Sequence, residues 1–165
     1  MEKAYFAGGC FWCITPTFRE MEGVSDVISG YSGGDEASPS YEDVKYQRTG
    51  HRETICICYD PQQVSYENLL QIYLDSVDPF DEGGQFIDRG FSYTLAVYYH
   101  TTEEQETALQ LLEKLEKWAG KKAFVAVEAY KNFYLAEEYH QNYDLKNPEA
   151  FQQELVESGR VKAGE

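Results

Sequence analysis

The chain has 165 residues, of which 42% are hydrophobic and 26% are charged, and its formal net charge at pH 7 is −15. This length and this hydrophobic content suffice for one folded domain with a real core, and we expect residues 1–165 to form a single domain that exists as a monomer. The acidic balance disfavours nucleic acid or an anionic membrane surface as the partner. No apolar stretch approaches the length of a membrane span.

The cysteine content limits the chemistry further. The chain contains four cysteines, which are too few for a disulfide framework in a protein of this size. The first residues, Met1 to Phe6, lack the basic patch and the apolar core of a signal peptide. We therefore expect a cytoplasmic protein in a reducing compartment, whose thiols are catalytic, metal-binding or simply buried.

The first half of the chain mixes strand and helix patterns. In chain order the patterns predict a strand at Lys3–Ala7, a helix close behind Cys10, a strand at Val24–Tyr31, a short helix capped by Ser40, and a strand at Glu53–Tyr59. A helix capped by Ser65 follows.

The second half begins with a glycine-spaced loop. The patterns predict this loop at Phe80–Gly90, a strand at Tyr93–His100, a helix at Thr102–Ala119, a strand at Ala123–Tyr130, a loop at Lys131–Lys146, a last helix from Pro148 and a loose tail after Ser158. Strands and helices intermix without strict alternation, which indicates an α+β protein with helices packed on a mixed sheet.

The helix at Thr102–Ala119 has the clearest signals. Thr102 with Gln105 forms a capping box, and Gly120 suits the position after the helix. A core-facing apolar stripe contains Ala108, Leu111, Leu112, Leu115 and Trp118.

Pro16 requires an explanation because it lies where the first helix is expected. The arrangement that fits best has Thr15 as the cap and Pro16 at the first helical position, which leaves Cys10 to Cys13 in the entry turn. The other arrangement is a helix that begins at Cys10 and is kinked at Pro16.

Cys10 is the leading candidate for chemistry. It follows Gly8-Gly9 at the junction between the first strand and the first helix. Unpaired backbone N–H groups and the helix dipole favour a thiolate there, which is the form that attacks. The next residues, Phe11 and Trp12, indicate a substrate with a small apolar part.

Cys10 and Cys13 together form a C-x-x-C pair. Residues three apart in a helix or turn lie within disulfide distance, so the pair can close a bond with little backbone movement. The motif also fits zinc binding or a general thiol–disulfide oxidoreductase. A zinc site would recruit His51, Cys56 or Cys58, but Cys56 and Cys58 lie on a predicted strand, which disfavours a zinc-stabilised binding module.

Several other residues have two interpretations. Cys56 and Cys58 point to one face of their strand and Glu53 to the other, and both cysteines are expected to be packing residues. Glu53 is either a solvated strand end or, if buried, a proton donor near neutral pH. Asp88 lies in a loop where turn formation is the default, and His140 is expected at the surface.

Tyr41 and Tyr93 are two of 14 tyrosines. A tyrosine most often serves packing, although a phenol is a good hydrogen-bond donor in an apolar pocket.

Several blocks in order, which cover residues 4 to 145, resemble the A-type peptide-methionine sulfoxide reductases. The matching blocks are Gly8-Gly9-Cys10-Phe11-Trp12, Gly30-Tyr31-Ser32-Gly33-Gly34, Ser38-Pro39-Ser40-Tyr41-Glu42-Asp43-Val44, Thr49-Gly50-His51-Arg52-Glu53, Tyr59-Asp60-Pro61, Asp78-Pro79, Asp88-Arg89-Gly90 with Tyr93, and Ala136-Glu137-Glu138-Tyr139-His140-Gln141.

The resemblance implies a two-layer α/β sandwich with a ferredoxin-like core and added segments. It also implies reduction of methionine S-sulfoxide, free or in proteins. Its implied residue roles are as follows: Cys10 as nucleophile, Glu53 as acid, Tyr41 and Tyr93 as donors to the sulfoxide oxygen, Phe11 and Trp12 as the pocket for the S-methyl group, and Asp88 as a residue that positions substrate.

The chain departs from the family pattern at the thiols. Many members carry recycling cysteines in a C-terminal tail, whereas here no cysteine follows Cys58. Cys13 is the nearest thiol that can condense with a Cys10 sulfenic acid, and an external dithiol, which the resemblance implies is thioredoxin, would then reduce the disulfide. This cycle needs no metal and no organic cofactor.

Overall fold

Residues 1–160 are described by a computed structural model. The strands are β1 (Glu2–Gly8), β2 (Val24–Ser32), β3 (Arg52–Tyr59), β4 (Gly84–Gln85), β5 (Asp88–Arg89), β6 (Leu95–Tyr99), β7 (Val125–Ala129) and β8 (Tyr134–Leu135). The helices are α1 (Phe11–Arg19), α2 (Tyr41–Lys45), α3 (Tyr66–Ser76), α4 (Thr102–Ala119), α5 (Tyr143–Lys146) and α6 (Pro148–Glu157), with single 3₁₀ turns at Phe91–Tyr93 and Glu138–His140.

The main sheet has the strand order β7-β6-β1-β3-β2-β8. All neighbours are antiparallel except β6 and β7, which are parallel. The elements β1-α1-β2-β3-α3-β6 thus follow the β-α-β-β-α-β order of a ferredoxin-like core, with β1 and β3 at its centre. The α+β class, the mixed sheet and the ferredoxin-like core are confirmed.

The two faces of the sheet differ. Ile55 and Ile57 of β3 lie with Phe6 in the large core, which also contains the buried side chains of α1, α3 and α4. Cys56, one position along β3, lies instead in a smaller cluster on the opposite face with Tyr5. This alternation confirms that Cys56 and Glu53 face opposite ways.

Helix α1 begins earlier than its proline suggests. Cys10 is the N-cap residue and Pro16 lies inside the helix, so the arrangement with Thr15 as the cap is wrong. The Thr15 hydroxyl instead donates to the Phe11 carbonyl at 2.7 Å. Phe11, Ile14, Thr15 and Phe18 recur at helical spacing and are buried, and this packing outweighs the backbone hydrogen bond that Pro16 cannot donate.

Helix α4 confirms one signal and corrects two. Gly120 has φ +70° at the end of the helix, as expected. The cap, however, is Thr101, whose hydroxyl accepts from the Glu104 N–H at 3.1 Å. Trp118 is 83% exposed and does not join the buried part of the apolar stripe, whose buried members are Ala108, Leu111 and Leu112.

Two predicted loops contain regular structure, and one predicted strand begins later than expected. The loop at 80–90 holds the hairpin of β4 and β5. Tyr93 belongs to a 3₁₀ turn rather than to the strand that follows it. The loop at 131–146 contains β8, a 3₁₀ turn and α5, which are too short for sequence periodicity to reveal.

The last described residues do not form a loose tail. Ser158 is buried, and the Arg160 N–H donates to the Leu155 carbonyl at 3.1 Å. The rest of the predicted tail, residues 161–165, lies outside the described residues. Within residues 1–160 there is also no helix whose length and apolar character would let it cross a bilayer.

Replacing Thr101 with alanine should destabilise the protein by about 1 kcal/mol, because the Glu104 N–H loses its acceptor at the helix N-terminus. The matched control is Thr102→Ala, which should leave the free energy of unfolding within about 0.5 kcal/mol of wild type. Urea unfolding followed by circular dichroism measures both. Equal losses in the two variants would contradict Thr101 as the cap.

Candidate functional site

The turn before α1 places Cys10 at the end of the central strand β1. Gly9 has φ +81°, which favours glycine, and a Cβ added there would lie 2.8 Å from the Cβ of Gln85. Cys10 follows as the N-cap residue of α1, with its side chain only 6% exposed. The glycine therefore permits the close approach of the hairpin that carries Gln85 and Asp88.

Cys10 and Cys13 form a coupled pair of thiols. The Cys13 N–H donates to the Cys10 carbonyl at 3.1 Å, and the two side chains hydrogen bond to each other. The hydrogen bond between the two thiols is the largest cause of the raised pKa of Cys10, and burial raises that pKa further. The same hydrogen bond is the largest cause of the lowered pKa of Cys13. The two thiols therefore lose their protons as a coupled pair rather than independently.

The raised pKa of Cys10 runs against the expectation that the helix N-terminus favours its thiolate. The hydrogen bond to Cys13 and burial act in the opposite direction to the helix terminus, and nearby Glu53 and Asp88 raise the pKa of Cys10 further.

Glu53 lies at the start of β3, where its carboxyl group meets the start of α1. It is 1% exposed, and its Oε1 accepts from the Phe11 N–H at 3.2 Å. Burial raises the pKa of Glu53 to about 8, against the opposing effect of that hydrogen bond. Glu53 is therefore buried rather than a solvated strand end, and at pH 7 it holds a proton that it can donate.

Tyr41 and Tyr93 come together beside Glu53 although they belong to α2 and to a 3₁₀ turn. Their hydroxyl groups lie close enough to influence each other. Burial, and then the charge of Glu53, raises the pKa of each phenol. Both phenols therefore keep their protons and can donate to an oxygen atom placed between them and the thiols.

Asp88 lies on β5, close enough to the thiols to affect their pKa values. Burial raises its own pKa, and the positive charges of Arg160 and Lys45 oppose that rise. Its Oδ2 atom is buried and has no hydrogen-bond partner within residues 1–160. An unpaired buried acceptor of this kind is suited to a donor from a substrate.

Phe11 and Trp12, the two residues expected to form the apolar pocket, differ in burial. Phe11 is packed in the core against Tyr31, with ring centroids 5.9 Å apart. Trp12 is only partly buried and stacks on Tyr143 at 3.9 Å between centroids. Trp12 is therefore the ring of the two that offers an accessible face.

His140 is buried, with 1% exposure, so its predicted surface position is wrong. Its Nδ1 atom accepts from the Trp12 Nε1–H at 3.0 Å, and its ring lies 4.3 Å from that of Tyr41. Burial lowers the pKa of His140 to about 4, so the ring is neutral and can accept. The aromatic rings around it explain the burial, but their distance along the chain hid it from sequence reasoning.

Sequence reasoning also missed Glu137, which positions Tyr41. Its carboxylate accepts from the Tyr31 hydroxyl at 2.8 Å and from the Tyr41 N–H at 2.9 Å. The one available signal was its place in the block that precedes His140.

The remaining cysteines stand apart from the thiol pair. Cys56 lies across the sheet, where burial raises its pKa to about 12. The His51 ring is also engaged, because its Nδ1 accepts from the Gly34 N–H at 3.1 Å. Across the part of the chain that the structure describes, no three His, Cys, Asp or Glu side chains are grouped to hold a metal ion. The zinc ligand set considered from the sequence is thus not brought together.

The fold and the site together define a class: a ferredoxin-like α+β protein with two thiols at a helix N-terminus beside a protonated, buried carboxyl group. A family model described as Peptide methionine sulfoxide reductase matches residues 2–164. The chain belongs to this family.

Individual relatives agree with the family match. The chain is 45% identical over 161 residues to Peptide methionine sulfoxide reductase MsrA of Bacillus licheniformis, with 96% of this chain and 89% of the relative covered. The MsrA of Picrophilus torridus is 45% identical over 150 residues, which cover 90% and 84% of the two chains.

Solved structures show the same fold. Reduced Mxr1 from Saccharomyces cerevisiae matches with a TM-score of 0.84 and 29% identity, over 90% of this chain and 86% of that one. Methionine sulfoxide reductase A of Corynebacterium diphtheriae matches with a TM-score of 0.80 and 28% identity, over 89% and 75%.

The raised pKa of Glu53 predicts a pH-dependent stability. Between the ordinary pKa of 4.5 and about 8, folded Glu53 keeps a proton that the unfolded chain releases, so its contribution to stability falls as pH rises. Urea unfolding at intervals from pH 5 to 8 should show wild type losing stability relative to Glu53→Gln. Parallel pH profiles for the two proteins would contradict the buried, protonated state.

Proposed function

We propose that this protein reduces methionine S-sulfoxide, free or within proteins, to methionine. The observation that carries this proposal is the pairing of a sulfur nucleophile, Cys10, with a buried carboxyl group, Glu53, that is protonated at neutral pH. A sulfoxide needs both groups, because its sulfur is electrophilic and its oxygen gains negative charge as the sulfur is attacked. Membership of the sulfoxide reductase family supports the same reaction.

The proposed first step transfers the oxygen atom to Cys10. Cys10 gives up its proton to solvent, and the Cys10 thiolate attacks the sulfoxide sulfur, with which it forms an S–S bond. Glu53 gives its proton to the oxygen, while Tyr41 and Tyr93 donate hydrogen bonds to it. The S–S bond and the S–O bond of the substrate then break as the hydroxyl group passes to the Cys10 sulfur. The substrate sulfur is thereby reduced by two electrons and leaves as methionine, and Cys10 is oxidised by two electrons to a sulfenic acid.

Substrate placement uses the remaining residues of the site. Trp12 provides the accessible apolar face for the S-methyl group, with its indole N–H anchored on His140. Phe11 supports this wall from the core and presents its N–H to Glu53. The unpaired Asp88 Oδ2 is placed to accept from a substrate N–H.

Recycling in this proposal proceeds through a Cys10–Cys13 disulfide that thioredoxin reduces. Cys13 is the thiol that contacts Cys10, whereas Cys56 lies on the other face of the sheet. Mxr1 from Saccharomyces cerevisiae has been solved in complex with Trx2. All groups in the cycle come from one chain, which suits a monomer, and we place the cycle in the cytoplasm, where thiols are kept reduced.

A general thiol–disulfide oxidoreductase is the alternative that shares the C-x-x-C motif. Such an enzyme needs an accessible attacking thiol, whereas Cys10 is 6% exposed and faces a proton donor that disulfide exchange does not use. These features favour sulfoxide reduction.

The proposed cycle predicts different defects for the two thiols. Cys13→Ser should release methionine once from methionine S-sulfoxide and then fail to cycle with thioredoxin, whereas Cys10→Ser should release none. The Cys56→Ser, Cys58→Ser double variant is the matched control and should cycle normally. Methionine release, measured with and without thioredoxin, separates these cases. Substantial turnover by Cys10→Ser would refute the function, and normal cycling by Cys13→Ser would assign recycling to another thiol.

Replacing Glu53 with glutamine should slow single-turnover methionine release by roughly a hundredfold, because the oxygen loses its proton donor. Rapid quenching of reduced enzyme mixed with methionine S-sulfoxide measures this step apart from recycling. A rate equal to that of wild type would remove Glu53 from the chemistry.

A further inference from the structure

Arg160 brings a positive charge to the thiol pair from the far end of the chain. It follows α6, and its guanidinium stacks on Phe86 of the β4–β5 hairpin, with Cζ 4.2 Å from the ring centroid. Its Nη2 atom lies beside the turn before Cys10, since a Cβ added to Gly9 would be 3.6 Å away. The guanidinium of Arg160 thus lies between the β4–β5 hairpin and the turn at Gly9 that precedes Cys10.

Two donors of this guanidinium are buried without a hydrogen-bond partner. Nε and Nη2 of Arg160 find no acceptor among the residues that the structure describes. Unpaired buried donors on a charged group are costly, so they point to a negatively charged acceptor that forms during the reaction. The groups that sense the Arg160 charge are Cys13, Asp88 and Glu154.

Cys13 is the member of this set whose negative charge the reaction uses. Asp88 and Glu154 have raised pKa values because burial disfavours their charged forms. Arg160 opposes that rise in both carboxyl groups, and it favours the charged form of Cys13 as well. The stack on Phe86 and the backbone hydrogen bond to Leu155 fix the guanidinium in this position.

We propose that Arg160 is a positioning residue for recycling, which supplies the positive charge that stabilises the Cys13 sulfur as it attacks oxidised Cys10. This inference rests on the proposed function and assigns a role in its second step. It names a residue outside the sequence blocks that carry the family resemblance.

The step balances as follows. A lone pair of the Cys13 sulfur forms the S–S bond, and the S–O bond of the Cys10 sulfenic acid breaks. The Cys13 sulfur is oxidised by one electron and the Cys10 sulfur is reduced by one. The oxygen leaves as hydroxide and combines with the proton that Cys13 gives up, which forms water. Arg160 stabilises the negative charge on Cys13 between loss of that proton and formation of the bond.

The direction of the pH effect follows from the groups around Cys13. Cys10 faces it from its own helix, Asp88 from the hairpin, Glu154 and Arg160 from the C-terminal segment, and Glu53 from β3. Of these groups, Arg160 carries the positive charge. The other nearby cation, Lys45, acts on the carboxyl groups of Glu53, Asp88 and Glu154. Without Arg160, Cys13 should therefore lose its proton only at higher pH, and disulfide closure should slow at neutral pH.

The test follows the two steps separately in a single turnover. Reduced enzyme is mixed with methionine S-sulfoxide at pH 6 to 9 and quenched with an alkylating agent, and released methionine and the Cys10–Cys13 disulfide are measured by mass spectrometry. Arg160→Gln should release methionine at the wild-type rate but close the disulfide about tenfold more slowly at pH 7, the change that one pKa unit gives. The closure rate should recover at high pH.

Two variants control for structure and for charge. Arg160→Lys keeps the charge and should restore most of the closure rate. Arg89→Gln removes a positive charge from the same hairpin, where Arg89 pairs with Asp81 at 2.6 Å, and should close the disulfide normally. Unchanged closure in Arg160→Gln, or slower methionine release with normal closure, would overturn the role of Arg160.

A second readout separates this role from the proposed function. The alkylation rate of Cys13 with iodoacetamide needs no sulfoxide, and its pH midpoint should rise in Arg160→Gln relative to wild type and Arg160→Lys. An unchanged midpoint would overturn the inference. Failure of wild-type enzyme to release methionine would overturn the proposed function instead, and the alkylation result would still report on Arg160.

Discussion

The antiparallel pairing of β1 with both β3 and β6 is the constraint on which the site depends. Phe6 pairs with Ile55 and Gly8 pairs with Leu95, so the end of β1 meets the starts of β3 and β6. Cys10 lies two residues after the end of β1, Glu53 lies at the start of β3, and Tyr93 lies two residues before β6. The pairing of these three strands therefore brings Cys10, Glu53 and Tyr93 to the same end of the sheet. The Phe11 N–H then ties the start of α1 to Glu53.

Local patterns were sufficient for most of the regular structure. The alternation in β3 and the caps at Ser40 and Ser65 involve residues that are neighbours along the chain, and the structure contains each of them. Pro16 misled the prediction because its local cost is outweighed by the burial of Phe11 and Phe18 across the fold. The elements that periodicity missed, such as β8, are too short to show a period.

The site divides in a similar way. The resemblance named Cys10, Glu53, Tyr41, Tyr93 and Asp88, and the structure brings them together. The sequence left open whether Glu53 is solvated, and it predicted His140 at the surface. The structure shows that both side chains are buried. The proton distribution between Cys10 and Cys13 was equally out of reach, because it depends on a hydrogen bond between the side chains and on charges from distant segments.

The position of Cys56 behind the sheet has a consequence for oxidative damage. A disulfide can rearrange only if another sulfur reaches it, and the layer of strands separates Cys56 and Cys58 from the Cys10 and Cys13 thiols. Scrambling among the four thiols is therefore blocked while the protein stays folded. Each pair of cysteines can therefore exchange only with a thiol or disulfide that approaches its own side of the sheet.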